Sequence, residues 1–247
     1  MTKIFEKIIG ALIIVFALYI GYVDVLDHDW RYVTPTDKQV KYYSISEDKA
    51  LKLYQLMKDT HDILVKHKID YWIDNGTLLG AVRNKGIIPF DDDLDIGVLH
   101  QDEIRLQAIA EEVEKRGYSF SQKTIYAICT KVTKLLQEKT CLDIFIYHKK
   151  DNKFVFTNLL VRNTYPKAYF YDNEIFPLKK YQFGEVEVYG PDKAKGYLDR
   201  QYPEWDIYAI IQQPHKYHVW LSAIEKKTKF ILTPALLKAA QPTGPLR

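Results

Sequence analysis

The chain has 247 residues, 47% hydrophobic and 27% charged, with 35 basic against 32 acidic side chains. That composition is globular and excludes a mainly disordered protein or a collagen-like rod, and the length suits one ordinary domain or two small ones. Two cysteines are too few for a disulfide framework or a four-cysteine zinc site, and a net charge of +3 is too small to argue for nucleic acid.

From Ile8 to Val23 the chain reads IIGALIIVFALYIGYV, 16 residues without a charge. A membrane span needs about 20 mainly apolar residues, so charged flanks must snorkel at the edges of this run. A signal anchor, a cleaved signal peptide and a buried core helix compete for it. The run is apolar on every face, unlike an amphipathic core helix, and Gly21-Tyr22-Val23-Asp24 offers no small-residue cleavage site. The expectation is therefore an anchor over residues 1–26, one transmembrane helix, followed by a stem over 27–43. Lys3 and Lys7 precede the run, while Asp24, Asp27 and Asp29 follow it. The positive-inside bias then predicts a single-pass type II membrane protein whose remainder is lumenal or extracytoplasmic, in the Golgi or ER of a eukaryote.

Ser44-Ile45-Ser46-Glu47 reads as a capping box opening a helix whose Ala50, Leu53, Tyr54, Met57, Leu64 and Val65 share one face. A short strand, Asp70 to Asp74, leads into Gly76. A helix is expected from about Gln101 to Arg116, ended by Gly117. Strand signals follow: Cys141 to Tyr147, a return strand from Phe154 to Val161, and a pair over Tyr181 to Tyr189 bent at Gly184. Pro191 opens a helix to about Tyr202. Residues 225–247 hold five basic residues, one acid and three prolines, and read as a loosely ordered basic tail. Residues 44–224 are thus the expected catalytic unit, an α+β domain around one mixed sheet with flanking helices.

The chemistry concentrates between Tyr71 and Val98, YWIDNGTLLGAVRNKGIIPFDDDLDIGV. If Asp93 to Val98 is a strand, Asp93 and Asp95 share a face about 6.5 Å apart, with Leu94 and Ile96 turned to the core. Two carboxylates on one face repel unless a cation lies between them, and a hard divalent ion completed by phosphate and water is the natural occupant. The bland alternative is a solvated acidic turn; the Leu-x-Ile alternation argues for a buried strand instead. A calcium loop begun at Asp91 fails, because Ile96 and Asp102 stand where Gly and Glu are needed.

Gly76-Thr77, placed after a short strand as a helix begins, offers backbone amides and a hydroxyl to phosphate, and Arg83 lies two turns further on. The stretch is neither a Walker A loop nor a dinucleotide fingerprint, and taken alone it is an ordinary glycine-containing helix start. Asp143 is the candidate third acid. It lies in an apolar strand, opposite Leu142, Ile144 and Ile146, where an acid is costly unless bonded or metal-bound. A strand facing solvent on that side is the competing explanation.

Gly76-Thr-Leu-Leu-Gly-Ala-Val-Arg83 followed by Ile88-Pro-Phe-Asp-Asp-Asp-Leu-Asp-Ile96 resembles the signature of the LicD family. That family of nucleotidyltransferase-like phosphotransferases includes bacterial phosphorylcholine transferases, fukutin and fukutin-related protein. The likeness extends more weakly from Leu51 to Trp205. It implies a polymerase-β-type nucleotidyltransferase fold, with Gly76 and Thr77 in the phosphate loop and Asp93, Asp95 and Asp143 as catalytic, metal-binding acids. Asp91 and Asp92 are expected to support them from outside the ligand set. The implied reaction moves a phospho-alcohol from a CDP-alcohol donor to a glycan acceptor with Mg²⁺ or Mn²⁺, releasing CMP. The chain departs from the pattern in Asn84, where a His often follows the Arg, and in lacking a cysteine-rich zinc element.

A nucleotidyltransferase using the same acids is the nearest rival, and an inactive adaptor that binds glycan or a partner is the rival from another class. Membrane contact through the N-terminal helix, and no nucleic acid, complete the expected partners. Trp72, Tyr169, Tyr171 and Trp205 are candidate sugar platforms, with core packing the competing use in a chain of 19 Tyr, 11 Phe and 4 Trp. Cys129 and Cys141 are a possible pair in an oxidising compartment, but sequence does not set their separation.

Overall fold

The computed structural model describes residues 33–132, 139–211 and 228–247, together with Gly10 and Val15. The anchor expected over residues 1–26 thus lies outside the described residues apart from those two. Among the described residues no helix is long and apolar enough to cross a membrane.

Helix α1 (Asp37–Tyr43) occupies the expected stem and is opened by a capping box between Thr36 and Gln39. Ser44 does not cap the next helix; its hydroxyl donates back to the Val40 carbonyl at 2.7 Å. Ser46 takes the cap instead, accepting the Lys49 N–H at 3.2 Å, and α2 runs Glu47–Lys66. Leu53, Leu56, Met57 and Leu64 are fully buried along one face of α2, the spacing that its sequence shows.

The strands β1 (Tyr71–Ile73), β2 (Leu94–Leu99), β3 (Tyr118–Gln122), β4 (Tyr126–Thr130) and β5 (Cys141–Lys150) form a sheet in the order β1-β2-β5-β4-β3. β2 and β5 are parallel and the other neighbours antiparallel. The sheet is mixed, as expected. β6 (Lys153–Phe156) and β7 (Phe170–Tyr171) extend it beside β5. Leu94, Ile96, Val98, Leu142 and Ile144 are buried on one face. On the other face Trp72 lies flat on its register partner Gly97, where any Cβ would overlap the indole.

Helix α3 (Asn75–Arg83) follows β1. Where one helix is expected over 101–116, a 3₁₀ turn (His100–Asp102) leads into α4 (Glu103–Ala108) and α5 (Ala110–Lys115), separated at Ile109 with ψ −5°. The strand expected to continue to Val161 stops at Phe156. Asn158 accepts the N–H groups of Leu160 and Val161 at 2.9 and 3.2 Å, which starts helix α6 (Leu159–Thr164). A short α7 (Asp172–Ile175) precedes the hairpin β8 (Lys179–Phe183) and β9 (Val186–Gly190), which turns through Gly184 at φ +63°. Helix α8 (Ala194–Gln201) and the small sheet of β10 (Tyr208–Ile211) and β11 (Thr228–Ile231) follow.

The expected loose tail is corrected for residues 228–247. Besides β11, they form α9 (Pro234–Leu237) and bury Leu236 completely. The Ala240 N–H donates to Ile87 O at 2.8 Å, Tyr54 Oη to Ala240 O at 3.1 Å, and Asn84 Nδ2 to Leu236 O at 2.8 Å. These bonds span long sequence distances, so local composition carries no trace of them. Cys129 and Cys141 are register partners on β4 and β5 and form a disulfide.

Candidate active site

The site is assembled where β1 ends, α3 begins and β2 returns. Asp74 caps α3, accepting the Asn75 N–H at 2.8 Å, while its own N–H donates to Asp95 O at 3.0 Å. Leu78 N–H reaches Asp74 O at 2.9 Å. The N–H groups of Gly76 and Thr77, in the first turn, have no intrahelical acceptor, which is the arrangement that serves an anion. Thr77 itself is buried. Its hydroxyl accepts the Asp95 N–H at 2.8 Å and pins the start of β2 to the loop, which leaves the hydroxyl proton to be donated elsewhere. Gly76 is needed for close approach: a Cβ there would lie 2.7 Å from Asp91 Oδ2.

Asp95 and Asp143 are register partners on the parallel strands β2 and β5, so they share a face across one strand spacing of about 4.8 Å. Asp93 lies one pleat before Asp95. Phe145 and Tyr147, which follow Asp143 on that face, are buried, so this side of the strand is not open to solvent as the competing explanation required. Desolvation, then repulsion from Asp93, Asp91 and Asp143, pushes the Asp95 carboxyl well above the ordinary carboxylate range. Asp91 is pushed up in the same way by desolvation, by Asp93, with which it shares a hydrogen bond, and by Asp92. Asp91 thus shares the electrostatics of the acids it is expected to support from outside the ligand set.

Arg83 faces Asp91, but desolvation is the larger effect and pushes its pKa down to about 10. Its Nε donates to Asn84 Oδ1 at 3.0 Å and its Nη1 to Trp205 O at 3.1 Å, which ties the segment after α8 to the site.

Sequence reasoning missed five residues around these acids. Asp74 was readable, since an Asp closing a strand just before a helix is a cap signal. The tyrosines carry no such signal. Tyr147 Oη donates to Asp74 Oδ2 at 2.6 Å, and Tyr197 Oη donates to Asn75 Oδ1 at 2.8 Å. The hydroxyls of Tyr202 and Tyr165 are pushed up by desolvation and then by Asp95 and Asp93, with Asp91 and Asp74 adding to the first and Asp143 to the second. Tyr165 is about half exposed.

The sugar-platform residues sit elsewhere or are engaged. Trp72 is core, and the Trp205 indole donates to Asp199 Oδ1 at 3.0 Å. Lys153 Nζ lies 4.0 Å from the Tyr169 ring centre and the Arg200 guanidinium 4.5 Å, and both cations also approach Tyr171. A recess of about 190 Å³ lies in the gap between β4 and β6, lined by Tyr126, Phe145, Phe156 and Asn158, and it contains none of the clustered acids.

The donor set at the cluster is all oxygen, and its members raise one another's proton affinity. Such a set suits a hard divalent cation rather than a soft one. Among the described residues no group of three or more Asp, Glu, His or Cys side chains is placed so as to hold a metal ion by itself.

Comparison with known proteins agrees with this architecture. The model of the LicD/FKTN/FKRP nucleotidyltransferase domain matches residues 68–193. An uncharacterized Rickettsia prowazekii protein is 60% identical over 98% of this chain and 88% of its own, and a Rickettsia typhi protein is 57% identical over 98% and 75%. The lipopolysaccharide cholinephosphotransferase LicD of Haemophilus influenzae is 31% identical over 38% of this chain and 40% of its own length. The human ribitol 5-phosphate transferase FKRP is 36% identical over 20% and 11%. The expected location as a type II membrane protein of the Golgi or ER is corrected by these relatives: those matching nearly the whole chain are bacterial, and bacteria have neither compartment. With its family-model match covering just over half of the chain, from before the Gly76-Thr77 turn to beyond all the clustered acids, the chain belongs to the LicD family.

Proposed function

We propose that the protein is a divalent-metal-dependent phosphotransferase. It moves a phospho-alcohol of the phosphorylcholine or ribitol-phosphate type from a CDP-activated donor to a glycan hydroxyl. The observation that carries this reading is the register pairing of Asp95 with Asp143, two residues on from Asp93, with Asp95 bonded through its N–H to Thr77 and Asp91 set against Gly76. The names of the cholinephosphotransferase and ribitol 5-phosphate transferase relatives support the donor class.

Asp93, Asp95 and Asp143 would hold Mg²⁺ or Mn²⁺, which when bound neutralises diphosphate charge and stabilises the leaving nucleotide. The free N–H groups of Gly76 and Thr77 bind phosphate oxygens. Asp91 and Asp92 add negative charge beside the ligands, and Arg83 offsets part of it. Asp143 takes the proton from the acceptor hydroxyl as its oxygen bonds to phosphorus and the phosphorus–oxygen bond to CMP breaks. A transfer of NMP from a nucleoside triphosphate uses the same acids and is the second reading, favoured by the nucleotidyltransferase character of the matching domain.

The test is an assay of the purified full chain with Mg²⁺ or Mn²⁺, CDP-choline or CDP-ribitol, and a panel of glycans. CMP release that depends on both metal and acceptor supports the phosphotransferase. Pyrophosphate release from nucleoside triphosphates, with CDP-alcohols untouched, supports the second reading. Neither release overturns both.

A further inference from the structure

Three acids are buried in the described part of the chain: Asp74, Asp102 and Glu174. Asp102 pairs with Arg105 and Glu174 with Arg200. Asp74 differs, because the donors on its carboxylate are uncharged: the Asn75 N–H at 2.8 Å and the Tyr147 hydroxyl at 2.6 Å. The Tyr197 hydroxyl is also within hydrogen-bonding reach of it. An acid fully removed from water costs several kcal/mol unless it is well bonded, so a purely structural site would favour an uncharged residue.

What Asp74 joins is informative. Its carboxylate holds Tyr147, four residues beyond Asp143 on the same face of β5, and its backbone N–H holds Asp95 O on β2 at 3.0 Å. It therefore touches both strands that carry the clustered acids. It also fixes the turn that begins the phosphate loop. Asn75 adopts φ +40°, a left-handed conformation that a non-glycine residue keeps only when its surroundings hold it there. Asp74 holds the N–H of Asn75, and Tyr197 donates to its side-chain carbonyl at 2.8 Å. Tyr197 is in turn fixed from α8, its ring stacked on Phe170 at 4.1 Å and 6°.

We propose that Asp74 is a positioning residue for the transfer reaction. Together with Tyr147 and Tyr197 it holds the Asn75–Thr77 turn at a set distance from Asp95 and Asp143, so that loop amides and carboxylates address one phosphate. The inference rests on reading Gly76 and Thr77 as a phosphate loop. Asp74 touches no substrate; it acts through Asn75 and the two strands.

The decisive variant is Tyr197→Phe, which deletes one hydroxyl and leaves the stacked ring in place. Two quantities are measured on the full chain: amide hydrogen exchange at Asn75 and Asp95, whose N–H groups are bonded within the turn, and the affinity for CDP in Mg²⁺ by calorimetry. The expected result is about tenfold faster exchange at these amides and about tenfold weaker CDP binding, the scale of one lost hydrogen bond, with an unchanged fold by circular dichroism. Asp74→Asn keeps an acceptor for the Asn75 N–H and stays within about threefold of wild type on both readouts, whereas Asp74→Ala matches or exceeds Tyr197→Phe. Unchanged exchange together with unchanged CDP affinity in Tyr197→Phe overturns the inference. Wild-type protein that binds no CDP overturns the proposed function instead. In that case Asp74 has no transfer reaction to serve, and exchange decides only whether its network holds the turn: a rise confined to Asn75 and Asp95 supports that, and no rise removes it.

Discussion

The hydroxyl of Thr77 accepts the backbone N–H of Asp95 at 2.8 Å. This one bond joins the first turn of α3 to the start of β2, so the loop and a principal carboxylate move as a unit. Thr77→Val keeps the shape of the side chain and removes the acceptor, leaving a half-buried N–H without its partner. The cost is about 1–3 kcal/mol, or a fall in Tm of about 2–4 °C per kcal/mol for a chain of this size. Thr77→Ser retains the acceptor and melts close to wild type. Thermal denaturation of the two variants side by side checks this; equal melting would mean that the bond contributes nothing.

Gly76→Ala is expected to disable the site without unfolding the protein. The new Cβ would lie 2.7 Å from Asp91 Oδ2, so the carboxylate has to swing away from the loop. CMP release falls at least about tenfold, the effect of misplacing a charged group in a preorganised site, while Tm stays within a few degrees. Because the damage passes through Asp91, Gly76→Ala and Asp91→Asn should be strongly non-additive in a double-mutant cycle. Additive losses would place the function of Gly76 elsewhere.

Some of this arrangement is written in local residue order and some is not. The alternation Asp93-Leu94-Asp95-Ile96 specifies which side chains face the core, and the strand keeps that assignment. Asp143 opposite Leu142 and Ile144 is legible for the same reason. The register that sets Asp143 directly beside Asp95 is not, since a parallel pairing is decided by tertiary packing across 48 residues. The four tyrosines around the cluster come from β5, the end of α6, α8 and the segment after it, and nothing in their own neighbourhoods marks them. Asn158 shows the opposite failure: a side-chain cap ended a strand whose β-branched and apolar residues alone favour continuation.

Asn84 ties the end of α3 to the C-terminal segment. Its Nδ2 donates to Leu236 O at 2.8 Å and to Lys238 O at 3.3 Å, and its Oδ1 accepts from Arg83. Asn84→Ala strands a buried carbonyl on the C-terminal segment and frees the Arg83 fork. The expected loss is about 1–3 kcal/mol, with proteolysis beginning in residues 233–241 before the main sheet opens. Limited proteolysis followed by mass mapping checks this; first cleavage in the sheet would show that the tether is not what holds the segment.

The pH dependence of the metal-free protein follows from the acids that repel one another. Burial pushes the Asp74 carboxyl up from 3.8 to about 6, and desolvation with mutual repulsion pushes Asp91 and Asp95 well above the carboxylate range. Each of these groups binds its proton more tightly in the folded state than in the unfolded one. Their contribution to stability is therefore complete below the ordinary carboxylate pKa and is lost as pH rises through the raised values. Glu112 behaves oppositely, because the His67 and Lys66 bonds push it down to about 2, so its contribution is lost only as pH falls from 4.5 toward that value. In EDTA, Tm should accordingly fall as pH rises from about 5 to about 7.5. Mg²⁺, which binds ionised carboxylates, should reduce or reverse that fall. Asp95→Asn removes one repelling charge: Tm in EDTA near neutral pH rises by several degrees, the Mg²⁺-dependent shift shrinks, and turnover is lost. Differential scanning calorimetry across this pH range, with and without Mg²⁺, measures all four stability effects. A metal-free Tm that instead rises between about pH 5 and pH 7.5 would mean that the clustered carboxylates do not govern stability in that window.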